Sequence, residues 1–265
     1  MEFRPSEYFI NVRQTRPLVH HITNYVTVND CANITLCAGG SPIMTDEGRD
    51  VRDIASVAGS VVLNIGTLNE RTVDSMHLAG TVAHSAGVPV VLDPVGYGAT
   101  SYRTSVTHDI IERVHPDVIK GNGGEMGMLV GAGGEVEGVD SHMEADDLVD
   151  HMTSYASRYG GIIASSGRSD YVSDGRVTLE LGNGVDMLSS VSGTGCMLSS
   201  VIGAFVGANG ASVLSVASAF TAFNIAAEDA IHVSDGPGSF KVALMDSLYR
   251  LEPSELDSRV RWCEI

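Results

Sequence analysis

The stretch SVVLNIGTLNERTVDSMHLAGTVAHSAGVPVVLDPV (60–95) decides the fold class. Two β-branched runs, SVVLNIG (60–66) and PVVLDPV (89–95), flank TVDSMHLAGTVAHSAG (72–87), where Val73, Met76, Leu78 and Val82 recur among small residues and Gly87 marks a helix stop. Strand, helix and strand in that order make a parallel βαβ unit with a right-handed crossover. DVIKGN (117–122) and GIIASSG (161–167) read as further strands, and a helix is expected over 141–160, acidic early, with Arg158 late and Gly160-Gly161 behind it. YVSDGRVTLEL (171–181) carries a DG turn between two strand-like runs, so the sheet is expected to end in antiparallel strands. From Thr194 onward the pattern is helical over 194–208, 211–232 and 238–251, punctuated by Asn209-Gly210 and Gly236-Pro237-Gly238. No Pro-rich, Ser-rich or charged linker divides the 265 residues and no internal repeat stands out, which favours one α/β domain over 1–265.

Composition narrows the partners. With 33 acidic against 16 basic side chains the formal charge is −17, and Lys120 and Lys241 are the only lysines. Counterion release from nucleic acid and attraction to an anionic membrane both need clustered Lys and Arg, so neither partner is expected. The apolar stretches are interrupted before reaching membrane-spanning length, and MEFRPSEYFINVRQ lacks a basic flank followed by an apolar signal core. A cytoplasmic location is the expectation. Cys31, Cys37, Cys196 and Cys263 are too widely spaced for a CxxC knuckle and too few for a disulfide scaffold, and read as reduced thiols.

Three constellations have chemical content. Asp93 follows one strand and Glu125 follows the next through the turn GNGG, so a parallel sheet brings both to one edge, where open α/β sheets bind ligands. Two hard oxygen donors facing a phosphate tail suit Mg²⁺; equally, Asp93 can start an Asp-Pro turn and Glu125 can cap a helix. Gly193-Thr194-Gly195-Cys196 opens a long helix, and glycines at a helix entrance let backbone N–H groups converge on an anion. It is not a Walker A loop, since GxxxxGK[ST] is absent and the sequence around it offers no lysine for the phosphates. Cys196 at that entrance is expected to have a thiol pKa lowered by the helix dipole. In the third constellation, PLVHHITNYVTVNDCANITLCAGGSPIMTDE (17–47), Asn24, Asn29, Asp30 and Asn33 lie in an apolar stretch and can orient a small polar ligand. His20 and His21 lack a third ligand at zinc spacing and read as hydrogen-bonded structural imidazoles, and Met44 as core.

In order, PLVHHITNYVTVNDCAN, GGSPIM, LNIGTL, VVLDPVGYGAT, GNGGE, GVDS, DYVSDG, SGTGC and GPGSF resemble the motifs of the hydroxyethylthiazole kinases, a ribokinase-like family of thiamin salvage, over nearly the whole chain. The resemblance implies a ribokinase-like three-layer α/β/α fold with a mostly parallel central sheet, in a single domain without a lid. It implies ATP as co-substrate, Mg²⁺, and phosphoryl transfer to the hydroxyl of 4-methyl-5-(2-hydroxyethyl)thiazole, in a homotrimer with active sites between subunits. By motif match, Asn24, Val26, Met44 and Gly66 belong to the thiazole pocket, Gly193 and Gly195 flank Thr194 beside the reacting hydroxyl, and Asp93 and Glu125 face the metal. Cys196 stands where ribokinase relatives usually carry an aspartate base, and this family commonly has cysteine there. Lys120 takes the place of an ATP-contacting arginine, losing the bidentate fork, and Ser166 that of a threonine. GNGGE departs from the more familiar GNASE.

The competing readings are another ribokinase-like activity (a hydroxymethylpyrimidine kinase or an ATP-dependent hydrate dehydratase), against which the asparagine-rich start argues, and a non-catalytic thiazole or thiamin sensor. A dinucleotide-binding oxidoreductase is disfavoured because no GxGxxG follows the first strand.

The acid-rich, lysine-poor composition suits a salty cytoplasm, a bias that ordinary acidic proteins share. It predicts a melting temperature that rises with added KCl as screening relieves self-repulsion; thermal melts across a salt series check this, and a flat series would refute it.

Overall fold

The apolar runs of the sequence become the centre of one sheet. In the computed structural model, which describes residues 2–133 and 145–265, the strands are β1 (Leu18–Ile22), β2 (Ser41–Met44), β3 (Ser60–Asn64), β4 (Val90–Asp93), β5 (Val118–Asn122), β6 (Ile162–Ser166), β7 (Asp170–Ser173), β8 (Thr178–Leu181) and β9 (Trp262–Glu264). They are ordered β2-β1-β3-β4-β5-β6-β7-β8-β9. From β2 to β6 every pair is parallel, and β7, β8 and β9 continue the sheet antiparallel. The expected βαβ centre and antiparallel end are both present. The DG turn closes as expected too, with Asp174 Oδ1 accepting the N–H groups of Arg176 and Val177 at 2.9 Å each.

Helices cover both faces, as a parallel sheet with continuous apolar strands requires. α1 (Pro5–Thr15), α2 (Val28–Ala38), α8 (Thr194–Asn209), α9 (Val213–Ile231), α10 (Pro237–Arg250) and α11 (Pro253–Arg259) pack on one side. There Phe9, Ile34, Val201, Phe220 and Phe240 meet Val19, Val62, Val91 and Val118. α3 (Gly48–Val57), α4 (Glu70–Ala86), α5 (Ser101–Val114), α6 (Gly123–Val130) and α7 (Ala145–Tyr159) cover the other. There Val51, Met76, Ile110 and Met152 meet Leu63, Leu92 and Ile119. The two-residue alternation along each strand divides the cores: Val62 faces one and Leu63 the other.

The expected helix over 72–87 is α4, capped by a reciprocal Asn69–Thr72 box and ended by Gly87 at φ 71°. Of the helix expected over 141–160, the described part is α7; residues 141–144 and the GVDS stretch (138–141) lie outside the described residues. β1 and β2 differ from the reading by sequence, which saw no strand in LVHHI or SPIM. His20 and His21 enter a buried strand because each ring finds a backbone carbonyl: His20 Nε2 lies 3.0 Å from Thr45 O and His21 Nδ1 3.1 Å from Val19 O. Burial pushes the His21 imidazole down to about 4, so it is neutral at pH 7. Among the described residues no helix is long and apolar enough to cross a membrane.

One contact places the functional edge. α8 lies directly on β1 and β3, and a Cβ built on Gly203 would come within 2.6 Å of Val62 Cγ2 and 3.0 Å of Val19 Cγ1. The glycine lets the helix approach the sheet closely enough for its N-terminus to reach the strand ends. Gly203→Ala is therefore expected to destabilise by about 1–3 kcal/mol through overpacking, a loss of several degrees in Tm for a chain of this size. Urea or thermal unfolding measures it.

Candidate functional site

In a parallel sheet all strand C-termini reach one edge, and the candidate residues stand along it in strand order. Met44 ends β2, Asn24 follows β1, Gly66 follows β3, Asp93 ends β4, Lys120 lies near the end of β5 with Glu125 just beyond, and Ser166 ends β6. Five strand steps separate β2 from β6, a span of about 24 Å at the usual ~4.8 Å spacing. The row is long enough for two ligands end to end.

At its centre Asp93 is 2% exposed. Its Oδ2 accepts Asn64 Nδ2 at 2.7 Å and Ser199 Oγ at 2.8 Å. Burial raises its pKa to about 6, Lys120 pulls it down and Glu125 pushes it up. An ionised carboxylate only accepts, so it turns the Asn64 amide with nitrogen inward. Asn64 Oδ1 then faces outward and accepts Asn24 Nδ2 and the Gly66 N–H, both at 2.9 Å. Asn24 Oδ1 is left to accept the Thr27 N–H at 3.1 Å and Thr27 Oγ1 at 3.0 Å. Gly66 is required by this packing, because a Cβ there would lie 2.9 Å from Asn24. Asn64 was not singled out from the sequence. The signal lay in its two-residue spacing from Gly66 at the end of an apolar strand, and nothing local linked it to Asp93.

Cys196 sits within this network, its Sγ accepting Asn64 Nδ2 at 3.2 Å and Asn24 Nδ2 at 3.4 Å. Here the structure corrects an expectation. The helix dipole was to lower the thiol pKa, but burial, together with the neighbouring Asp93 charge, raises it to about 11. Desolvation of the half-buried thiolate outweighs the dipole at this helix entrance.

The entrance itself is open on its backbone. Gly193 caps α8 at φ 89° with no side-chain cap, and the first intrahelical bond runs from Met197 N–H to Gly193 O at 2.9 Å. The amides of Gly195 and Cys196 precede it. A Cβ on Gly193 would lie 2.2 Å from Thr27 Cγ2, so the N-terminal turn and the glycine turn fit only without one. The Thr194 hydroxyl points back to Leu188 O (2.9 Å) and Val191 O (3.3 Å), leaving that residue its backbone to offer. Although the sequence around this turn offers no lysine, one reaches it from elsewhere in the chain. Lys120 arrives from β5, 2% exposed, and donates to Gly195 O at 3.0 Å.

Glu125 takes the helix-capping part that the sequence offered for it, and both of its oxygens are engaged. Its Oε2 accepts the Asn122 N–H at 2.8 Å in a capping box, and its Oε1 accepts the Gly96 N–H at 2.7 Å, joining the turns after β4 and β5. Ser166 Oγ reaches Gly121 O at 3.4 Å. Among the described residues there is no cluster of three or more metal-ligating side chains. Asp93 and Glu125 therefore fit a cation that keeps its waters and takes further oxygens from a phosphate, as Mg²⁺ does, and do not fit an all-protein cage.

At the β2–β1–β3 end of the edge, a cleft of about 300 Å³ is lined by Met44, Tyr25, Thr23, Thr67, Asp46 and Arg71, among others. Met44 thus faces a cleft as well as packing at the sheet edge. Val26 is 61% exposed. Asn29, Asp30 and Asn33 do not join the site: Asn33 Nδ2 turns to Asn29 at 3.0 Å, and Asp30 pairs with Lys241 at 2.6 Å. A larger hollow of about 460 Å³, lined by Asp117, Gly160, Arg176 and Ser212, lies at the opposite edge of the sheet, away from all of these residues.

The chain matches the hydroxyethylthiazole kinase family model over residues 9–254. It is 46% identical to the hydroxyethylthiazole kinase of Methanocella arvoryzae, covering 97% of this chain and 96% of that one. The structure of the hydroxyethylthiazole kinase protein from Pyrococcus horikoshii is similar at 38% identity and TM-score 0.91, over 98% of both chains. A ribokinase-like superfamily protein from Enterococcus faecalis, 12% identical over 91% of this chain and 88% of its own, shares the fold at TM-score 0.63.

With its pKa near 11, Cys196 has only about one thousandth of its thiol ionised at pH 8. Iodoacetamide at that pH is expected to modify exposed Cys263 first and Cys196 and buried Cys31 last. Peptide mapping over time reads the order, and early labelling of Cys196 would contradict the assigned burial.

Proposed function

The chain belongs to the hydroxyethylthiazole kinase family, and from that premise we propose that it transfers the terminal phosphoryl of ATP to the hydroxyl of 4-methyl-5-(2-hydroxyethyl)thiazole. The observation that carries this reading is the row from Met44 to Ser166 on one sheet edge, with an uncapped helix entrance at its middle. The thiazole lies at the β2–β1–β3 end, against Met44, Val26, Asn24 and Gly66, and ATP at the β5–β6 end, against Lys120 and Ser166.

Phosphoryl transfer asks for alignment and charge neutralisation, because charge spreads over the outer oxygens of a loose transition state. The amides of Gly195 and Cys196 and the α8 dipole receive that charge. Lys120 adds a full positive charge beneath them. Asp93 and Glu125 would hold Mg²⁺, which would supply charge neutralisation to the phosphate tail. The substrate oxygen bonds to phosphorus as the bridging bond to ADP breaks, and the hydroxyl proton passes late to an oxygen of the transferred phosphoryl. Cys196, with its raised pKa, orients the hydroxyl and is too rarely ionised to serve as an efficient base.

The exposed Val26 and Tyr25, 61% and 80% accessible, lie beside the acceptor end and support a site completed by a neighbouring subunit, in a homotrimer. We further read residues 1–265 as one domain acting in the cytoplasm on small molecules. Sedimentation of the full chain tests the assembly.

Incubation with ATP, Mg²⁺ and the thiazole alcohol is expected to yield ADP and the thiazole phosphate. Phosphorylation of hydroxymethylpyrimidine in place of the thiazole would overturn the substrate, and binding without turnover would favour a sensor. Cys196→Ala is expected to lose about 10–100-fold in kcat, the lower end of acid–base and orienting effects. Gly195→Val, which fills the anion entrance, is expected to lose about 10²–10³-fold or more. The reverse ranking would refute the division of roles.

A further inference from the structure

Asp170 begins β7, the strand that turns back immediately after Ser166, and it is 4% exposed. Its position on the sheet edge follows from the β6–β7 register, in which Ser165 pairs with Tyr171. Its two carboxylate oxygens have different partners. Oδ1 accepts the Gly167 N–H at 3.0 Å, and Oδ2 accepts Asn224 Nδ2 at 2.6 Å. The second is short for an amide donor.

Asn224 lies on α9 and is 4% exposed, so its amide is oriented by what it packs against. Above it runs the Gly182–Gly184 loop, where a Cβ on Gly184 would lie 3.5 Å from Asn224 Cγ. One helical turn further on, Glu228 Oε1 accepts Asn183 Nδ2 and the Gly184 N–H, each at 3.1 Å. One face of α9 thus fastens two loops of the functional edge: the turn behind Ser166, and the loop that continues through the 3₁₀ turn Asp186–Ser190 to Gly193. A buried carboxylate is a costly way to tie a turn, and burial pushes Asp170 up to about 7 while its bonds to Gly167 and Asn224 and the charge of Lys120 pull it down.

We propose that Asp170, locked by Asn224, is a positioning residue for the nucleotide: it fixes the Gly167 amide and with it the Ser166–Gly167 turn on which ATP docks, without touching either substrate. This rests on the reading of Ser166 as a nucleotide contact. The geometry separates its effect from the acceptor end of the row, which lies on the far side of β4 and β5.

The test is steady-state kinetics on the full chain, varying ATP and the thiazole alcohol separately, with Asp170→Ala, Asp170→Asn, Asn224→Ala and Ser166→Ala. Asp170→Ala is expected to raise KM for ATP about tenfold, the equivalent of ~1.4 kcal/mol, with KM for the thiazole unchanged. Asp170→Asn keeps an oxygen for Gly167 and, once the Asn224 amide turns over, a matched donor and acceptor, so it recovers most of the ATP affinity. Asn224→Ala gives a smaller rise, again in ATP alone. Amide exchange over 166–169 should quicken in Asp170→Ala and return in Asp170→Asn. If Asp170→Ala does not fold, the Asn and Asn224 variants carry the comparison. The proposal is overturned if both KM values rise together, if Asp170→Asn behaves like Ala, or if Ser166→Ala raises KM for ATP while Asp170 and Asn224 variants do not. If no variant, Ser166→Ala included, alters KM for ATP, the nucleotide reading of this edge fails instead.

Discussion

The buried Asp93 carboxylate is the constraint that orders the site. A carboxylate removed from water must be bonded or it changes its protonation, and here Asn64 and Ser199 supply the bonds from opposite sides, one from the sheet and one from α8. Because the acceptor cannot reverse its role, the orientation of each amide outward from it is settled in turn, through Asn64 to Asn24 to Thr27. Four segments distant in sequence are thereby held in one register, and the sulfur of Cys196 is seated against two amide donors.

That network functions only because α8 comes close. Gly203 against Val62 and Val19, and Gly193 against Thr27, remove the side chains that would hold the helix off the sheet or the N-terminal turn off the helix. The consequence for chemistry is a helix entrance with free amides lying against the strand ends, backed by Lys120 on Gly195 O. The same closeness partly desolvates Cys196, which with the Asp93 charge raises its pKa and removes it as a ready thiolate. Alignment and fixed positive charge are the means of catalysis we propose, which is what a loose phosphoryl transition state demands.

Much of the frame was legible in the residues. The runs at 60–66 and 89–95 are apolar throughout because both faces are covered, so they read as parallel strands without any tertiary knowledge. Gly87, the Asp174-Gly175 turn and the Gly193 entrance are local devices whose backbone demands show in the residue type. β1 was not legible, since two adjacent histidines look polar until their carbonyl partners are known. Nor was Asn64, whose importance comes from neighbours on other strands.

The sequence by itself determined the strand edge: periodicity and crossover handedness oblige Asp93 and Glu125 to share one side of the sheet, since both are local or near-local properties of the chain. Only the tertiary structure decided what those groups are chemically. Lys120 is separated from Gly195 by 75 positions, and Cys196 lies under amides from two other strand ends; burial and electrostatics depend on distances in space, which no spacing along the chain records.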